Sequence, residues 1–587
     1  MLKNTRAVSI LVVSWLSLLS VALSVAGMAA GQNKEEVTGG SAAAVDLVYY
    51  WKFDEGSGTT AADSAGSNDG AIQGNAAWGL GQVNNALIFD GVDDWAAITQ
   101  TFTFHQAGDA SLLLWMKRAD DAHRTMFWTR GDATDADRFH VYSGWLPGMS
   151  AGGTDYYGFG FDYRTPAGDL RAVLETTFPA NEWTHIAVVR SGNDYLLYKN
   201  GQLVNQVTDN NPDLPAYTGN WFIGSRAGQA GFYYQGSLDE AALFNTALTA
   251  EQIQLYYRRG VDGLGYEGGY NDTADDFNNG LNPALWQTKI EGSGPAVTAT
   301  NQRLEITLPA NASDDPSLSR FRGEAQSVCK VRGDFDMLAD YELLAWPANN
   351  GVRIGLRVTA PGVSDKTMER VSRGVGESGG EVYGGNFSTG NTPISATTDL
   401  SGTLRLRRVG GTYTAYYRDT ANGQWVAVLS ETGLPTANLY FGVAAWSHNV
   451  FFADQEVKVA FDNFRLYQGE LLCGQMSPDR SGAGFPGTAI TYSHTLTNTG
   501  NVTNTYDITH SGSLGWPVIY QTPITLGPGG AAALLISVTP PLNVVSGTVE
   551  TTLIQAASQA DGDIVMAVTD VTTIEAKHLY LPAILRP

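Results

Sequence analysis

The stretch NEWTHIAVVRSGNDYLLYKNGQLV, residues 181–204, is the part of the sequence that decides the fold class. Its runs of β-branched, aliphatic and aromatic residues favour extended strands. Asn200 and Gly201 lie between two such runs, and a type I′ turn needs a positive φ at both of its central residues. Side chains alternate across a strand, so Trp183 and His185 share one face. The stretch therefore predicts antiparallel strands joined by a tight hairpin.

Similar short runs occur throughout residues 46–262, namely LVYYWKF, ALIFDG, SLLLWMKR and NWFIGS. The exception is the helical pattern LTAEQIQLYYRRG, in which Thr249 is the expected N-cap, Gln252 completes a capping box and Gly260 is the expected stop. Short strands bounded by turn residues at this spacing are typical of two-sheet antiparallel sandwiches. Residues 46–262 therefore form the first predicted domain.

Two further stretches repeat this all-β character. Residues 270–470 contain alternating runs such as RLEITL and TLRLRRV, and residues 475–575 contain GTAITYSHTLTNTGNVTNTYDI. The length of 587 residues requires several hydrophobic cores, because single domains usually hold ~100–200 residues. We therefore predict an all-β protein with three consecutive domains.

The charge and the cysteine content exclude several functional classes. The formal net charge of −23 repels phosphates and anionic lipids, so neither nucleic acid nor a membrane surface is an expected partner. The two cysteines form no Cys/His pattern typical of zinc sites. The eight histidines are scattered, and none lies in an HExxH or a GxSxG context. These features favour a binding protein over an enzyme.

The N-terminal segment is predicted to be a targeting signal. Lys3 and Arg6 precede an uncharged run over residues 7–30 that ends in small residues, as in a cleaved secretory signal peptide. The alternative is an uncleaved anchor, because the run is long enough to cross ~30 Å of hydrocarbon. Residues 31–45 have the composition of a flexible linker. We therefore predict a signal peptide over residues 1–30 and a secreted or cell-surface protein.

Several motifs of the first domain occur in an order known from one family. They are WKFDEGSGT, DSAGSNDG, ALIFDGVDDW, SLLLWMKR, NEWTHIAVVR, YKNGQLV and GSLDEAALFNTALTAEQI. In this order the domain resembles the laminin-G-like (concanavalin-A-like) jelly-roll family. The resemblance implies a jelly-roll sandwich that binds carbohydrate or protein partners. Residues 270–470 share its plan of an acidic first strand and an acidic last strand, which implies a second concanavalin-A-like sandwich.

The shared plan also implies calcium ligands. In jelly-roll carbohydrate-binding modules, an acid near the first strand and an aspartate on the last strand hold a structural Ca²⁺. This would pair Asp54 with Asp239 and Asp276 with Asp462. Calcium takes roughly six to eight oxygen ligands, so backbone carbonyls or waters would complete each site. The alternative is that these are ordinary exposed acids at strand ends.

Aromatic rings beside polar groups are the usual platform for sugars. The candidates are Trp145, Tyr156, Tyr157, Trp221, Tyr233 and Tyr234 in the first domain and Trp446 in the second. The alternative for each ring is packing in the hydrophobic core. A concave cluster of these rings would favour binding, and dispersed core packing would favour a spacer.

The two cysteines flank strand patterns that are far apart in the chain. Cys329 lies just before DFDMLADYELL, and Cys473 lies just after AFDNFRLY. In jelly rolls of this type the last strand runs antiparallel beside an early strand, which would bring the two thiols together. An exported compartment permits their oxidation. The resemblance therefore implies a disulfide between them, and the alternative is two unpaired, buried thiols.

The C-terminal part carries a second resemblance. The TNTGN and GPGG turns of residues 475–575 resemble those of immunoglobulin-like modules of secreted bacterial enzymes and surface proteins. Such a module has ~100 residues in a seven-stranded sandwich and usually acts as a spacer. Residues 576–587 resemble a short C-terminal tail of exported bacterial proteins. Either a sorting signal or a frayed terminus would explain this tail.

Three functions stay open at this point. The first is an exported, non-catalytic protein that recognises glycans or extracellular proteins through the laminin-G-like domain. The second is a spacer or adhesin-like stalk without a ligand. The third is a weak glycoside hydrolase or lyase in the second domain, where Asp334 and Asp336 share one strand face and Asp340 and Glu342 share another. No pattern in the sequence indicates an oligomeric state.

Overall fold

The structure is a computed structural model of the protein. It describes residues 47–99, 108–120, 124–130, 138–146, 156–164, 170–210, 220–226, 230–267, 273–374, 380–388 and 394–576. The predicted signal peptide, the linker and residues 577–587 of the predicted tail lie outside the described residues. Strands dominate the described part, which confirms the all-β prediction.

Residues 47–267, the first unit, form two sheets that face each other across one hydrophobic core. The strands are β1 Leu47–Trp51, β2 Thr60–Ala61, β3 Gly70–Gln73, β4 Ala77–Leu80, β5 Asn85–Asp90, β6 Trp95–Ile98, β7 Ala110–Arg118, β8 Arg124–Arg130, β9 Arg138–Leu146, β10 Tyr156–Arg164, β11 Leu170–Thr177, β12 Thr184–Ser191, β13 Asp194–Lys199, β14 Gln202–Thr208, β15 Trp221–Ile223 and β16 Gln235–Phe244. One sheet has the order β14-β13-β12-β7-β16-β5-β4, with β1 beside β16, and the other has the order β11-β10-β9-β8-β15-β6-β3-β2. Alternation along β7 sends Leu112 and Leu114 into the space between the sheets and Trp115 to the opposite face.

The local signals of the first unit have the expected geometry. Asn200 and Gly201 have φ angles of 49° and 77°, which confirms the tight hairpin. Helix α1, Ala250–Val261, begins at Thr249 with the predicted capping box. The helix continues past Gly260, so the predicted stop was wrong. This glycine serves packing instead, because a Cβ there would lie 2.2 Å from the indole Nε1 of Trp115.

Residues 273–474, the second unit, form one strongly connected set of strands. The strands are β17 Thr273–Asp275, β18 Trp286–Glu291, β19 Ala296–Thr300, β20 Arg303–Leu308, β21 Phe321–Ala345, β22 Arg353–Ala360, β23 Val363–Ser372, β24 Glu381–Asn386, β25 Ile394–Ala396, β26 Ser401–Val409, β27 Thr412–Arg418, β28 Trp425–Glu431, β29 Leu439–Ser447 and β30 Val457–Leu472. Strand β21 pairs with β18 and β29 through its first part and with β26 through its last part. Side chains from both parts, such as Phe321 and Met337, therefore enclose a single core.

The predicted disulfide is present. Lys330 of β21 is the backbone partner of Leu472 on β30, which places the neighbouring cysteines side by side. The Sγ atoms of Cys329 and Cys473 are bonded, and their Cα atoms lie 4.7 Å apart. The bond thus joins the residue that follows β30 to the first half of β21.

Residues 475–576, the third unit, form two smaller sheets. The strands are β31 Gln475–Ser477, β32 Arg480–Gly484, β33 Ile490–Thr497, β34 Asn504–Gly512, β35 Val518–Ile519, β36 Ile524–Leu526, β37 Ala531–Val538, β38 Val549–Ser558 and β39 Val565–Ile574. The sheet orders are β31-β33-β37-β35 and β32-β39-β38-β34-β36. Tyr506, Trp516 and Ile536 belong to a core of their own. The immunoglobulin-like identity of this unit stays a prediction.

Polar side chains connect the three units. At the end of α1, the carboxylate of Asp262 lies 2.8 Å from Nε of Arg465, and its backbone oxygen accepts a hydrogen bond of 2.6 Å from the indole of Trp425. At the other junction Lys330 lies 2.9 Å from the carboxylate of Asp561. In the part of the chain that the structure describes, α1 is too short and too polar to cross a membrane, and no other helix there could do so.

Candidate functional site

One sheet face of the second unit is polar although it is largely buried. On β22, Ile354 and Leu356 point into the hydrophobic core, and alternation places Arg353 and Arg357 on the other face. The same alternation on β21 directs Glu324 to this face, where it is 0% exposed. Buried charges are costly unless they are paired. The buried charges on this sheet face are therefore expected to pair with one another.

Strand pairing brings distant residues of this face into one row. Trp446 of β29 is the backbone partner of Arg322 on β21 and of Arg353 on β22. Arg322 is in turn the partner of Glu291 on β18. Neighbouring strands lie ~4.8 Å apart. The half-buried indole of Trp446 thus lies between two strands that carry guanidinium groups.

Small residues occupy the neighbouring positions on the same strands. They are Gly442 and Ala444 on β29 and Gly355 on β22, where a Cβ would lie 1.9 Å from the carbonyl oxygen of Met368. The longer side chains surround a depression of about 350 Å³, the Trp446 cleft. It is lined by Arg320, Arg322, Arg353, Arg357, Asp365, Thr367, Glu369, Asn386, Trp446 and His448.

Arg357 is the centre of a chain of ion pairs below the cleft. Its Nη1 lies 2.8 Å and 3.0 Å from the two carboxylate oxygens of Glu324. Its Nε and Nη2 donate bonds of 2.9 Å and 2.8 Å to Asp365. Burial raises the pKa of Asp365, but the adjacent Arg357 outweighs burial and leaves that pKa lowered. The Asp365 carboxylate is thereby held ionised beside the guanidinium.

The chain continues toward the edge of the sheet. Arg322 lies 3.1 Å from Glu324 through Nε and 2.5 Å from Glu291 through Nη2. Arg320 donates a bond of 2.7 Å to the other oxygen of Glu291. Arg320 and Arg322 line the cleft, whereas their partners Glu291 and Glu324 do not. The charged groups that these two ion pairs present to the cleft are therefore guanidiniums.

Glu369 differs from these carboxylates. It is buried, and one of its oxygens accepts a hydrogen bond from the hydroxyl of Thr367. Its other oxygen lies 3.7 Å from Nε of Arg353. Burial raises the pKa of Glu369 and outweighs the opposing effects of Arg353 and Thr367. Glu369 therefore retains a proton to a higher pH than an exposed glutamate.

Trp446 and His448 form the aromatic end of the cleft. Nδ1 of His448 lies 2.7 Å from the backbone oxygen of Ser319, and since a carbonyl can only accept, this nitrogen donates its proton. Nε2 of the ring then points away from that bond and is the atom that a ligand could contact. A partly exposed indole beside polar donors is an arrangement that suits a sugar ring.

The predicted calcium ligands Asp54 and Asp239 both accept hydrogen bonds from the backbone of one turn in the first unit. Asp239 accepts a hydrogen bond of 2.9 Å from the backbone N–H of Val83. Asp54 accepts one of 3.1 Å from the backbone N–H of Asn85. Both carboxylates therefore stabilise the turn between β4 and β5, and Asp239 is 0% exposed.

The next residue adds a carboxylate that the sequence analysis did not include. Glu240 is also 0% exposed, and Tyr50 donates a hydrogen bond to one of its oxygens. The second oxygen of Glu240 and Oδ1 of Asp239 are buried without a hydrogen-bond partner. Burial raises the pKa of Glu240 to about 8. Calcium binding at Asp54, Asp239 and Glu240 stays a prediction, since the three described acids whose ligand atoms lie within 4.8 Å of one another are Asp90, Asp93 and Asp94.

We expect the stability of the first unit to fall between pH 4.5 and about 8, because folded Glu240 has a pKa of about 8 in place of 4.5. A raised folded pKa means that the stability present below pH 4.5 is lost as the pH rises through 8. Calcium should restore it at pH 8 by binding the ionised carboxylates. Thermal unfolding across this range, with calcium or chelator, measures both effects.

The matched variant Glu240→Gln should flatten this pH dependence and remove the calcium effect. Glu550→Gln in the third unit is the control, because Glu550 is likewise buried. Identical unfolding curves in calcium and in chelator would contradict the cation part of this expectation.

The second predicted calcium pair, Asp276 and Asp462, has local hydrogen bonds. Asp276 accepts bonds from the backbone and the side chain of Asn278, and Asp462 accepts one from the backbone of Asn463. Burial raises the pKa of Asp462, and the charges of Asp340 and Asp276 add to the rise. Calcium binding by these two carboxylates stays a prediction.

Two of the aromatic candidates lie in the core of the first unit. Trp221 is 2% exposed and packs against Phe139, and Tyr234 is 0% exposed and packs against Phe89. A sugar could reach neither ring, so the expectation that these two contact a ligand was wrong. The strand and loop patterns do not reveal which face of a short strand is covered. Tyr233 is partly exposed.

Three other candidates belong to a strand pair of the first unit. Tyr157 of β10 is the backbone partner of Trp145 on β9, and Tyr156 pairs with Leu146. Their side chains lie outside the described residues. These three residues stay predictions.

The carboxylates of DFDMLADYE have structural partners. Asp336 accepts two bonds, of 2.7 Å and 2.6 Å, from Arg405. Asp340 accepts a bond of 2.7 Å from Thr403, and Asp334 one of 2.6 Å from a backbone N–H. Apart from Trp446, the residues that line the Trp446 cleft were missed. Their only signal was the alternation of charged residues in FRGEAQ and DKTME, which is equally typical of an exposed strand face.

Comparisons with known proteins support the fold of the first unit. Residues 90–254 match a laminin-G family model described as the concanavalin A-like lectin/glucanases superfamily. This part of the chain has the concanavalin A-like lectin/glucanase fold. No curated protein matches the chain.

Solved structures show weaker similarity. Domain 4 of AbnA, an extracellular GH43 arabinanase from Geobacillus stearothermophilus bound to arabinotriose, is 19% identical, with 36% of this chain and 97% of that chain covered and a TM-score of 0.27. The botulinum neurotoxin serotype D binding domain is 10% identical, with 71% and 97% covered and a TM-score of 0.29. A heptameric SAP-like pentraxin from Limulus polyphemus is 14% identical, with 29% and 80% covered and a TM-score of 0.23. At these TM-scores the similarities carry no functional argument.

Proposed function

We propose that this chain is an exported, non-catalytic binding protein that recognises carbohydrate through the Trp446 cleft. The observation that carries the proposal is the row of Arg322, Trp446 and Arg353, whose side chains line the cleft. An indole supplies the apolar face on which a sugar ring stacks, and the flanking groups supply hydrogen bonds to its substituents. The first unit adds a second surface for glycan or protein partners.

The non-catalytic part of the proposal is supported by the placement of the carboxylates. Asp365 and Glu369, the two carboxylates that line the cleft, lie four residues apart on the same face of β23. At ~3.3 Å for each residue they are about 13 Å apart. Glycoside hydrolases place their two carboxyl groups at roughly 5–5.5 Å or 6.5–9.5 Å. Moreover, Glu324 is engaged by Arg322 and Arg357.

Export and calcium belong to the same proposal. The signal-like segment over residues 1–30 and the Cys329–Cys473 bond suit an oxidising exterior. A calcium ion at Asp54, Asp239 and Glu240 would act as a structural cofactor of the first unit.

Trp446→Ala is the test of the carbohydrate function. We expect the variant to lose at least about tenfold in affinity for any oligosaccharide that the mature chain binds, because stacking on the indole is removed. A glycan array followed by isothermal titration calorimetry measures this loss. Trp78→Ala is the matched control, because Trp78 is a half-buried tryptophan of the first unit.

Three results would contradict the proposal. Unchanged glycan affinity in the Trp446 variant would move the binding site elsewhere. Absence of binding by the mature chain to the whole array, with and without calcium, would favour the spacer function. Release of reducing ends from a bound oligosaccharide would favour the hydrolase.

A further inference from the structure

We propose that the Trp446 cleft selects acidic saccharides, whose carboxylate or sulfate group is bound at the arginine-rich end of the cleft. This inference rests on the proposed carbohydrate function and names its ligand class. It follows from three features of the cleft: the sign of the charges that line it, the exposure of those charges and their position around the indole.

The lining of the cleft is positive within an acidic protein. Four arginines line it against two carboxylates, Asp365 and Glu369, whereas the whole chain carries a formal net charge of −23. Glu291 and Glu324 neutralise arginines from below without reaching the cleft. Guanidiniums therefore outnumber carboxylates two to one among the charged groups that a ligand in the cleft would meet.

The accessible groups are mainly donors. The side chains of Arg320 and Arg353 are 28% and 19% exposed, whereas those of Arg322 and Arg357 are 2% and 4% exposed. Arg322 and Arg357 therefore stabilise the sheet face through their ion pairs, and Arg320 and Arg353 are the arginines that a ligand could contact. Neutral sugars need acceptors as well as donors for their hydroxyl groups. The acceptors that the cleft exposes are the amide oxygen of Asn386, which is exposed, and Asp365, whose two oxygens already accept bonds from Arg357.

The exposed donors surround one ring. Arg353 is the backbone partner of Trp446, and His448 is two residues further along the chain. His448 contacts the backbone of Ser319, the residue before Arg320. A uronate stacked on the indole would therefore have its charged group within reach of two guanidiniums and an imidazole. Planar guanidinium forks match the geometry of carboxylate and sulfate oxygens.

The test compares one backbone in three forms by calorimetry on the mature chain. The probes are a hexasaccharide of α-1,4-linked galacturonate, its carboxyl-reduced neutral form, and that neutral form carrying sulfate esters. We expect the uronate, the sulfated form or both to bind at least about tenfold more tightly than the neutral form, with an advantage that shrinks as salt increases. The two charged probes distinguish a carboxylate from a sulfate site.

Variants assign the effect to the cleft. Arg353→Gln and Arg320→Gln should each reduce the preference for the charged probe by about tenfold while binding of the neutral form persists. Arg332→Gln is the control, because Arg332 pairs with Glu470 at the surface of the same unit, away from the cleft. Circular dichroism confirms that each variant is folded.

Three outcomes would overturn the inference. Equal affinity for charged and neutral probes, or tighter binding of the neutral probe, overturns the acidic class but leaves the carbohydrate function standing. A preference for charged probes that survives in both arginine variants also overturns the inference. Failure of all three probes, together with an empty glycan array, overturns the inference and the proposed function together.

Discussion

Replacing Cys329 and Cys473 together with serine is expected to lower the free energy of unfolding of the second unit by about 5 kcal/mol. The bond joins positions that are 144 residues apart. In the chain-entropy model a disulfide restricts the unfolded chain, and the restriction grows with the logarithm of the loop length. Urea-induced unfolding followed by tryptophan fluorescence measures the loss, since Trp286 packs in the core between Phe441 and Phe464.

The same change should loosen the contact with the third unit. Tyr506 donates a hydrogen bond of 2.8 Å to the backbone oxygen of Cys473. The control is the wild-type chain in reductant, which should lose the same stability, whereas reductant should leave the double variant unchanged. A loss below about 1 kcal/mol would contradict the expectation and would mean that the unfolded chain stays compact without the bond.

Replacing Arg357 with methionine is expected to cost about 3–5 kcal/mol, because removal of one partner leaves a buried charge uncompensated. Glu324 is 0% exposed and would keep only Arg322 as a cation. The cost should shrink in acid. Arg357 lowers the pKa of Asp365 despite burial, so the stability that this pair contributes is present above pH 3.8 and is lost as the pH falls through the lower folded value.

Urea unfolding at pH 7 and at pH values below 3.8 measures this dependence. Arg332→Met is the matched control, because Arg332 and Glu470 are 39% and 50% exposed, and surface pairs usually contribute at most about 1 kcal/mol. Equal losses in the two variants would mean that the buried chain of ion pairs contributes no more than a surface pair.

Much of the fold could be predicted because its signals are local. Alternation of apolar residues predicted strands, and Asn200-Gly201 predicted a hairpin. Thr249 predicted the start of the helix. The predicted end of that helix was wrong. Gly260 lies inside the helix, and a larger residue there would clash with the indole of Trp115. A contact between distant segments decided that residue.

The candidate site depended on such distant contacts even more. Trp446 was recognised as a candidate, but its neighbours were not. The sequence could not show that Trp221 is covered by Phe139, nor that Glu240 lies beside Asp239 without a hydrogen-bond partner for its second oxygen. The disulfide was predicted because the family resemblance supplied the long-range strand order that alternation lacks.

By itself, the sequence determined the strands, the turns, the all-β class and the acidic charge, since these depend on composition and on residues close together in the chain. Only the tertiary structure decided where binding chemistry could gather. Arg322, Arg353 and Trp446 are far apart in sequence and meet because β21, β29 and β22 are neighbours in register. Alternation determines which side chains leave the core, but strand order determines which of them share a cleft.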